Sequence, residues 1–272
     1  MKNLRNSIVT YLFPTQHTDL IRQFAAREVA SRYRQSWLGT AWTIITPLLM
    51  LMVYTFVFRY VFVSRWPDAG HATGLGFALR LFSGLVVFNF FAECVGRAPR
   101  LILDQPNLVK KVAFPIEILP WVSMLTALFQ LAVAGIILVA LSVIDTRSLP
   151  ASVITLPLVW LPLVPLCVGL GWLFAGIGTY VRDLGQMVTL LLGFLIFMSP
   201  VFYPVSALPA VAQDWMVLNP LALPMTLTRG VLLEGLWPDW WPWGLHLLGC
   251  SLIAVIGAGF FRLARKGFAD VV

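Results

Sequence analysis

The chain has 272 residues, of which 59% are hydrophobic and 11% charged, with a formal net charge of +7. That balance is too apolar for a soluble domain of this length and makes lipid the natural surroundings of its surface. The basic residues sit between apolar runs and form no groove-tracking patch with aromatics, which excludes a nucleic-acid binder.

The first forty residues are polar and basic, without an apolar stretch followed by a small-residue cleavage site, so no removable signal peptide is expected. Within the N-terminal segment 1–41, Leu20, Phe24, Ala25, Glu28 and Arg32 recur at helical spacing before Gly39. They predict an amphipathic helix lying along the inner headgroups. A mere basic anchor accounts for the charges equally well, but not for the ordered run.

Membrane spans are predicted at 42–63, 77–95, 116–144, 153–178, 186–203 and 239–261, because each approaches the ~20 mainly apolar residues that a helix needs to cross the hydrocarbon. The fold class is therefore all-α, with 42–272 forming one six-helix transmembrane domain. In the second span Arg80 and Glu93 lie near the ends, and Glu93 stands four residues before Arg97. That spacing lets the two pair, either as an interfacial ion pair or as part of a gate. The loop at 97–115 is bracketed by Pro99, Pro106 and Pro115 and is apolar at its centre. A short helix there can dock into a partner's cleft, and a plain connector can look the same.

The fourth span contains Pro157, Pro162 and Pro165, so a bent or interrupted helix is expected. Gly169, Gly171, Gly176 and Gly178 follow, offering small faces for a neighbouring backbone. The outer segment at 204–236, with prolines at 204, 209, 220 and 224, is too long for a turn and too apolar for a solvated loop. It predicts two short interfacial or re-entrant helices around 206–216 and 222–234, with Trp215, Trp237, Trp240, Trp241 and Trp243 at headgroup depth.

An even number of spans puts both termini on one side. That side carries 14 of the 19 Lys and Arg residues, which makes it cytoplasmic. Cys94, Cys167 and Cys250 lie in apolar stretches and read as structural thiols. His17, His71 and His246 are scattered, no nucleophile stands with a base, and no Walker-type phosphate loop is present. Spans three to six carry no ionisable group at mid-depth for a coupling ion except His246, which reads as a packing residue rather than a proton relay, so the energy is expected to come from a partner.

The stretches REVASRYRQSWLGTAWTIITPLL at 27–49, LFSGLVVFNFFAE at 81–93, NLVKKVAFPIEILP at 107–120, YVRDLGQMV at 180–188, MSPVFYP at 198–204 and LNPL at 218–221 carry a resemblance that covers nearly the whole chain. In order and spacing it resembles the type-2 ABC exporter permeases, in particular the Wzm- and KpsM-like subunits that export lipid-linked polysaccharides. Two departures keep the chemistry: Arg27-Glu28 stands where the family often has Arg-Asp, and Phe88 or Phe90 where it has Trp.

The resemblance implies a homodimer of twelve helices in the bacterial inner membrane, joined to two separate cytoplasmic ATPase subunits that bind ATP and Mg. No cofactor is implied in this chain. The implied cargo is an O-antigen-like polysaccharide on undecaprenyl diphosphate. Residues 97–115 then match the coupling helix, with Pro106, Asn107, Leu108, Lys110 and Lys111 at the ATPase contact, together with Arg27, Glu28 and Arg32 of the interface helix. Residues 204–236 match the outer gate.

Tyr54, Phe58 and Phe62 recur every four residues, and Phe194, Phe197, Phe202 and Tyr203 cluster toward the end of the fifth span. Their rings can stack on sugars along a path or pack against lipid and neighbouring helices. Two other functions fit the same spans: a small-lipid or drug exporter permease of the same superfamily, and a membrane glycosyltransferase or polymerase. The last is disfavoured by the scarcity of acidic pairs at the interface.

Overall fold

In a run this apolar, the backbone must satisfy its own hydrogen bonds, and the helix does so within one segment. The computed structural model describes residues 10–34, 37–57, 74–109 and 114–271. Among them the architecture is all-helical. Five helical stretches are long and apolar enough to cross a membrane. The principal helices are α1 (Thr18–Tyr33), α2 (Trp42–Phe56), α3 (Gly74–Arg97), α4 (Leu119–Thr146), α5 (Leu163–Tyr180), α6 (Leu184–Met198), α7 (Ala210–Met216), α8 (Ala222–Leu233) and α9 (Trp240–Ala264).

The centre is α3, which is buried along most of its length through residues such as Leu79, Phe82, Val87 and Phe91. Around it lie α4, α5, α6, α8 and α2. The tightest pairing is α5 with α9. A Cβ on Gly169 would stand 2.6 Å from Ala254 Cα, and Gly257 faces the Gly169 backbone in turn. Only hydrogen fits at this crossing, so the small residues expected to allow close approach do so. At the inner end of α5, Gly178 meets the backbone of Pro99 in the same manner.

The prolines interrupt the fourth run as expected. A 3-10 turn at Ala151–Thr155 and a short helix at Leu156–Trp160 precede α5, with the break at Leu161 and Pro162. The outer segment docks where this happens. The Ser152 hydroxyl donates to Val231 O at 2.7 Å, and the Trp160 indole donates to Thr228 Oγ1 at 3.0 Å. Of the two expected short helices, α8 is packed into the protein through Met225, Thr228, Arg229 and Leu232, whereas α7 has no buried residue. Trp215, Trp237 and Trp241 are exposed, as headgroup-level rings would be.

One expectation is corrected and one is added to. The fifth run, read as a span over 186–203, is helical only from Leu184 to Met198. Its 15 residues extend ~22 Å, short of the ~30 Å hydrocarbon core. Pro200 cannot supply a helical N–H, and the chain turns there instead. Asn219 closes the end: its amide donates to Met198 O at 3.3 Å and to Ser199 Oγ at 3.0 Å, while its own Oδ1 accepts from Leu221 N at 2.9 Å. The addition concerns α1, expected along the inner headgroups, one face of which packs on protein. Its apolar face, Ile21 and Ala25, is buried against Ile118 and Val122 at the start of α4, and Phe24 lies 5.6 Å from Phe114. Protein side chains give that face a closer-packed surface than lipid headgroups would.

Both ends of the described chain come together. The Trp121 indole donates to Tyr11 O at 3.0 Å, and Arg265 donates to Glu117 Oε2 at 2.8 Å and to the Tyr11 hydroxyl at 3.5 Å. In a background lacking Cys94, Cys167 and Cys250, single cysteines at Ser31 and Gln105 are expected to react with an impermeant thiol reagent from one side of the membrane. Those at Ser148 and Ser206 react only from the other. Labelling of Gln105 and Ser148 from the same face would contradict this fold.

Candidate functional site

Charged side chains at a membrane boundary persist when opposite charges are held beside them. α1 carries Glu28 and Arg32, α3 carries Glu93 and Arg97, and each pair is spaced one helical turn apart. The two helices lie so that the four groups form a closed square. Arg32 bonds Glu93 and Arg97 bonds Glu28 across the helices, while Arg32 to Glu28 at 3.9 Å and Arg97 to Glu93 at 3.5 Å complete it along them. The Glu93–Arg97 pair expected from spacing is therefore half of a larger unit.

Beside this square lies a cavity of about 1270 Å³. One mouth is lined by Arg27, Glu28, Arg97, Arg100 and Asp104, from α1, the end of α3 and the following loop. Arg27 and Arg100 are exposed and have no ion-pair partner among the described residues. Farther along, the lining comes from α6: Gln186 and Thr189, then Leu190, Gly193, Phe194 and Phe197. The two rings are about 60% and 63% exposed, so this face of α6 is apolar and unfilled. One cavity thus joins a predominantly cationic polar mouth to an apolar wall. It suits an amphiphile with an anionic head.

The residues singled out from sequence fall as follows. Arg27, Glu28 and Leu108 line the cavity with Phe194 and Phe197, so two groups assigned to separate tasks share one space. Arg32 stands in the charge square next to it. Pro106 and Asn107 are exposed at the start of the short helix Pro106–Val109. Lys110, Lys111, Phe58 and Phe62 lie outside the described residues. Tyr54 lines a different cleft, but its ring is 5.5 Å from Phe202, which is 5.6 Å from Phe197, so the first and fifth runs meet through stacked rings. The Tyr203 hydroxyl donates to Phe197 O at 2.9 Å and holds the end of α6.

Sequence reasoning missed Arg97 and Arg100 as cavity residues: Arg97 was read only as the partner of Glu93, and Arg100 only toward topology. The repeated Glu-x-x-x-Arg spacing on two helices was the signal that could have joined them. At the opposite end Arg229 is buried, donating from Nε to Arg80 O at 3.0 Å and from Nη2 to Val201 O at 2.8 Å. It fastens α8 and the turn after α6 onto α3.

A bundle of apolar helices around an amphiphile-shaped cavity, with an exposed loop at its charged end, defines a multi-pass membrane transport component. The profile of the ABC-2 type transporter family matches residues 19–233, and the chain belongs to that family. It is 27% identical over 263 residues to the O-antigen export system permease protein RfbA of Myxococcus xanthus, covering 94% of this chain and 96% of that one. It is 24% identical over 263 residues to the RfbA permease of Klebsiella pneumoniae, covering 96% of each. It is 24% identical over 210 residues to the polysialic acid transport protein KpsM of Escherichia coli, covering 77% of this chain and 79% of that one.

The square makes a direct prediction for stability. Reversing Glu28 to Arg or Arg97 to Glu alone places like charges together and lowers the melting temperature in detergent. The double reversal re-forms the cross-helix pair but keeps like charges at 28/32 and 93/97, so its loss is smaller than the sum of the two single losses, by a coupling of about 1 kcal/mol. Additive losses would show that Glu28 and Arg97 act separately.

Proposed function

We propose that the chain is the membrane-spanning subunit of an ABC exporter that carries a polysaccharide linked to undecaprenyl diphosphate outward across the bacterial inner membrane. The observation that carries this reading is the cavity described above, with Arg27, Arg97 and Arg100 at its mouth and Leu190, Phe194 and Phe197 on its wall. A diphosphate is the anionic head that guanidinium groups bind by charge-assisted hydrogen bonds, and a polyprenyl chain is the tail that an apolar helix face accepts. The relatives named for O-antigen export and polysialic acid transport support the same cargo class.

In this reading two copies assemble with two separate ATPase subunits, which hold ATP and its Mg ions. Exposed apolar residues of α2 and α6, such as Leu48, Met52, Leu191 and Phe194, supply surface for pairing as well as for lipid. The end bearing α1 and the 97–115 loop faces the cytoplasm, where the basic residues concentrate. Pro106, Asn107 and Leu108 meet the ATPase, and the stroke reaches the cavity through Arg100 and Arg97. The segment 204–236 is the outer gate.

The test is the ATPase activity of the reconstituted complex. Lipid-linked polysaccharide is expected to stimulate it, and the Arg27→Gln, Arg100→Gln double variant to raise the half-saturating concentration about tenfold or more, since hydrogen bonds to charged groups contribute about 1.5–3 kcal/mol each. Replacing Asn107 and Leu108 by bulky charged residues abolishes stimulation and partner binding while the permease still inserts. Stimulation by neutral lipids equal to that by the diphosphate-linked glycan would overturn the cargo assignment.

A further inference from the structure

A second cleft, of about 530 Å³, lies among α2, α3 and α4. Its volume falls in the range of about 300–1,000 Å³ typical of small-ligand sites. What sets it apart is its lining. Asn89 of α3, Gln130 of α4 and Thr46 of α2 converge on it from three helices, together with the rings of Trp42 and Tyr54. Asn89 is the only exposed residue of the stretch 77–99, which otherwise faces protein. Four residues separate it from Glu93, the nearest member of the charge square, which puts it ~6 Å farther along the helix axis into the apolar run.

Polar side chains at such depth ordinarily serve as glue between helices or contact what passes through. Here the glue role is unfilled: among the described residues, neither the Asn89 nor the Gln130 amide has a hydrogen-bond partner. The two amides each offer donors and an acceptor, as a hydroxyl-rich neutral ligand requires. An anionic head is disfavoured, because no cation lines the cleft and Glu93 stands at its inner end. A cation is disfavoured as well, since the Glu93 carboxylate is already bonded by Arg32 and Arg97. A hydrocarbon chain would leave both amides unsatisfied.

We propose that this cleft is a glycan-contact site within the membrane, in which Asn89 and Gln130 hydrogen-bond the hydroxyls of neutral sugar residues while Trp42 and Tyr54 offer ring faces to their C–H surfaces. The proposal rests on the reading of the chain as a polysaccharide exporter. It adds a site separate from the charged cavity: that cavity takes the lipid head, and this cleft takes the sugars. Amides and rings make many weak contacts, which let a polymer advance without stalling.

The test places a photoreactive amino acid at Gln130 in the full permease–ATPase complex, in membranes that export the lipid-linked glycan. Irradiation during export is expected to yield a permease adduct that stains for carbohydrate. In parallel, the Asn89→Leu, Gln130→Leu double variant, similar in size but apolar, is expected to export about tenfold more slowly per assembled complex. Its half-saturation for ATPase stimulation by polyprenyl diphosphate without the glycan, which the charged cavity alone holds, stays within twofold of wild type. An adduct only with phospholipid or with a second copy of the chain overturns the cleft assignment, as does undiminished export by the double variant. Failure of the wild-type complex to export any glycan overturns the functional reading itself, whereas wild-type export without a carbohydrate adduct overturns the cleft alone.

Discussion

Next to hydrocarbon, a charge is tolerable only when its counter-charge is built into the protein, and Glu28, Arg32, Glu93 and Arg97 meet that condition by pairing across two helices. Separating the helices breaks the Arg32–Glu93 and Arg97–Glu28 contacts and leaves only the longer pairs along each helix. The ties continue from there. Arg97 leads directly into the turn Ala98–Arg100, where Pro99 lies against Gly178 at the end of α5, and α5 is locked to α9 at Gly169 and Gly257. The turn Ala98–Arg100 thus touches α5 and continues α3, which the square ties to α1, and the cavity lies beside these contacts.

The opposite end is held chiefly by hydrogen bonds to backbone carbonyls, with Arg80 and Glu234 paired at 3.8 Å beside them. Helix breaks at Leu161 and Pro162 and after Met198 free backbone carbonyls, and side chains of neighbouring segments take several of them up: Asn219 at Met198, Arg229 at Val201 and Trp243 at Leu158, the last at 2.9 Å. Irregular backbone survives at membrane depth only with such partners. The result is an outer cap in which α8 is packed into the protein by named bonds, while α7 lies exposed over it. The two ends thus differ in kind, one joined by ion pairs and the other chiefly by hydrogen bonds to carbonyls.

Much of this was legible in the sequence because apolar length and helix breakers act locally. The runs at 77–95, 116–144 and 239–261, the described part of the run at 42–63, the interruption at Pro162 and the short helices before and after Pro220 all follow from composition and proline chemistry. What was not legible depends on register between distant segments. Glu28 and Arg97 are paired only because α1 docks on α4 through Ile21 and Ala25, which no local periodicity dictates. Equally, Phe194 and Arg27 share a cavity only because α6 stops at Met198 and lies alongside the charged loop. Asn89 read as one polar residue in an apolar span, and its meaning emerged when Gln130 stood across the same cleft.

The account's central claim is that one cavity holds an anionic head at Arg27, Arg97 and Arg100 and an apolar tail along α6. The most direct measurement is mass spectrometry of the lipids retained by the complex after gentle purification from cells making the glycan. The claim predicts enrichment of polyprenyl diphosphate species over bulk phospholipid, with the enrichment lost when Arg27 and Arg100 are replaced by Gln and the complex remains assembled. Retained lipids that mirror the bulk membrane, or enrichment indifferent to those two arginines, would contradict it.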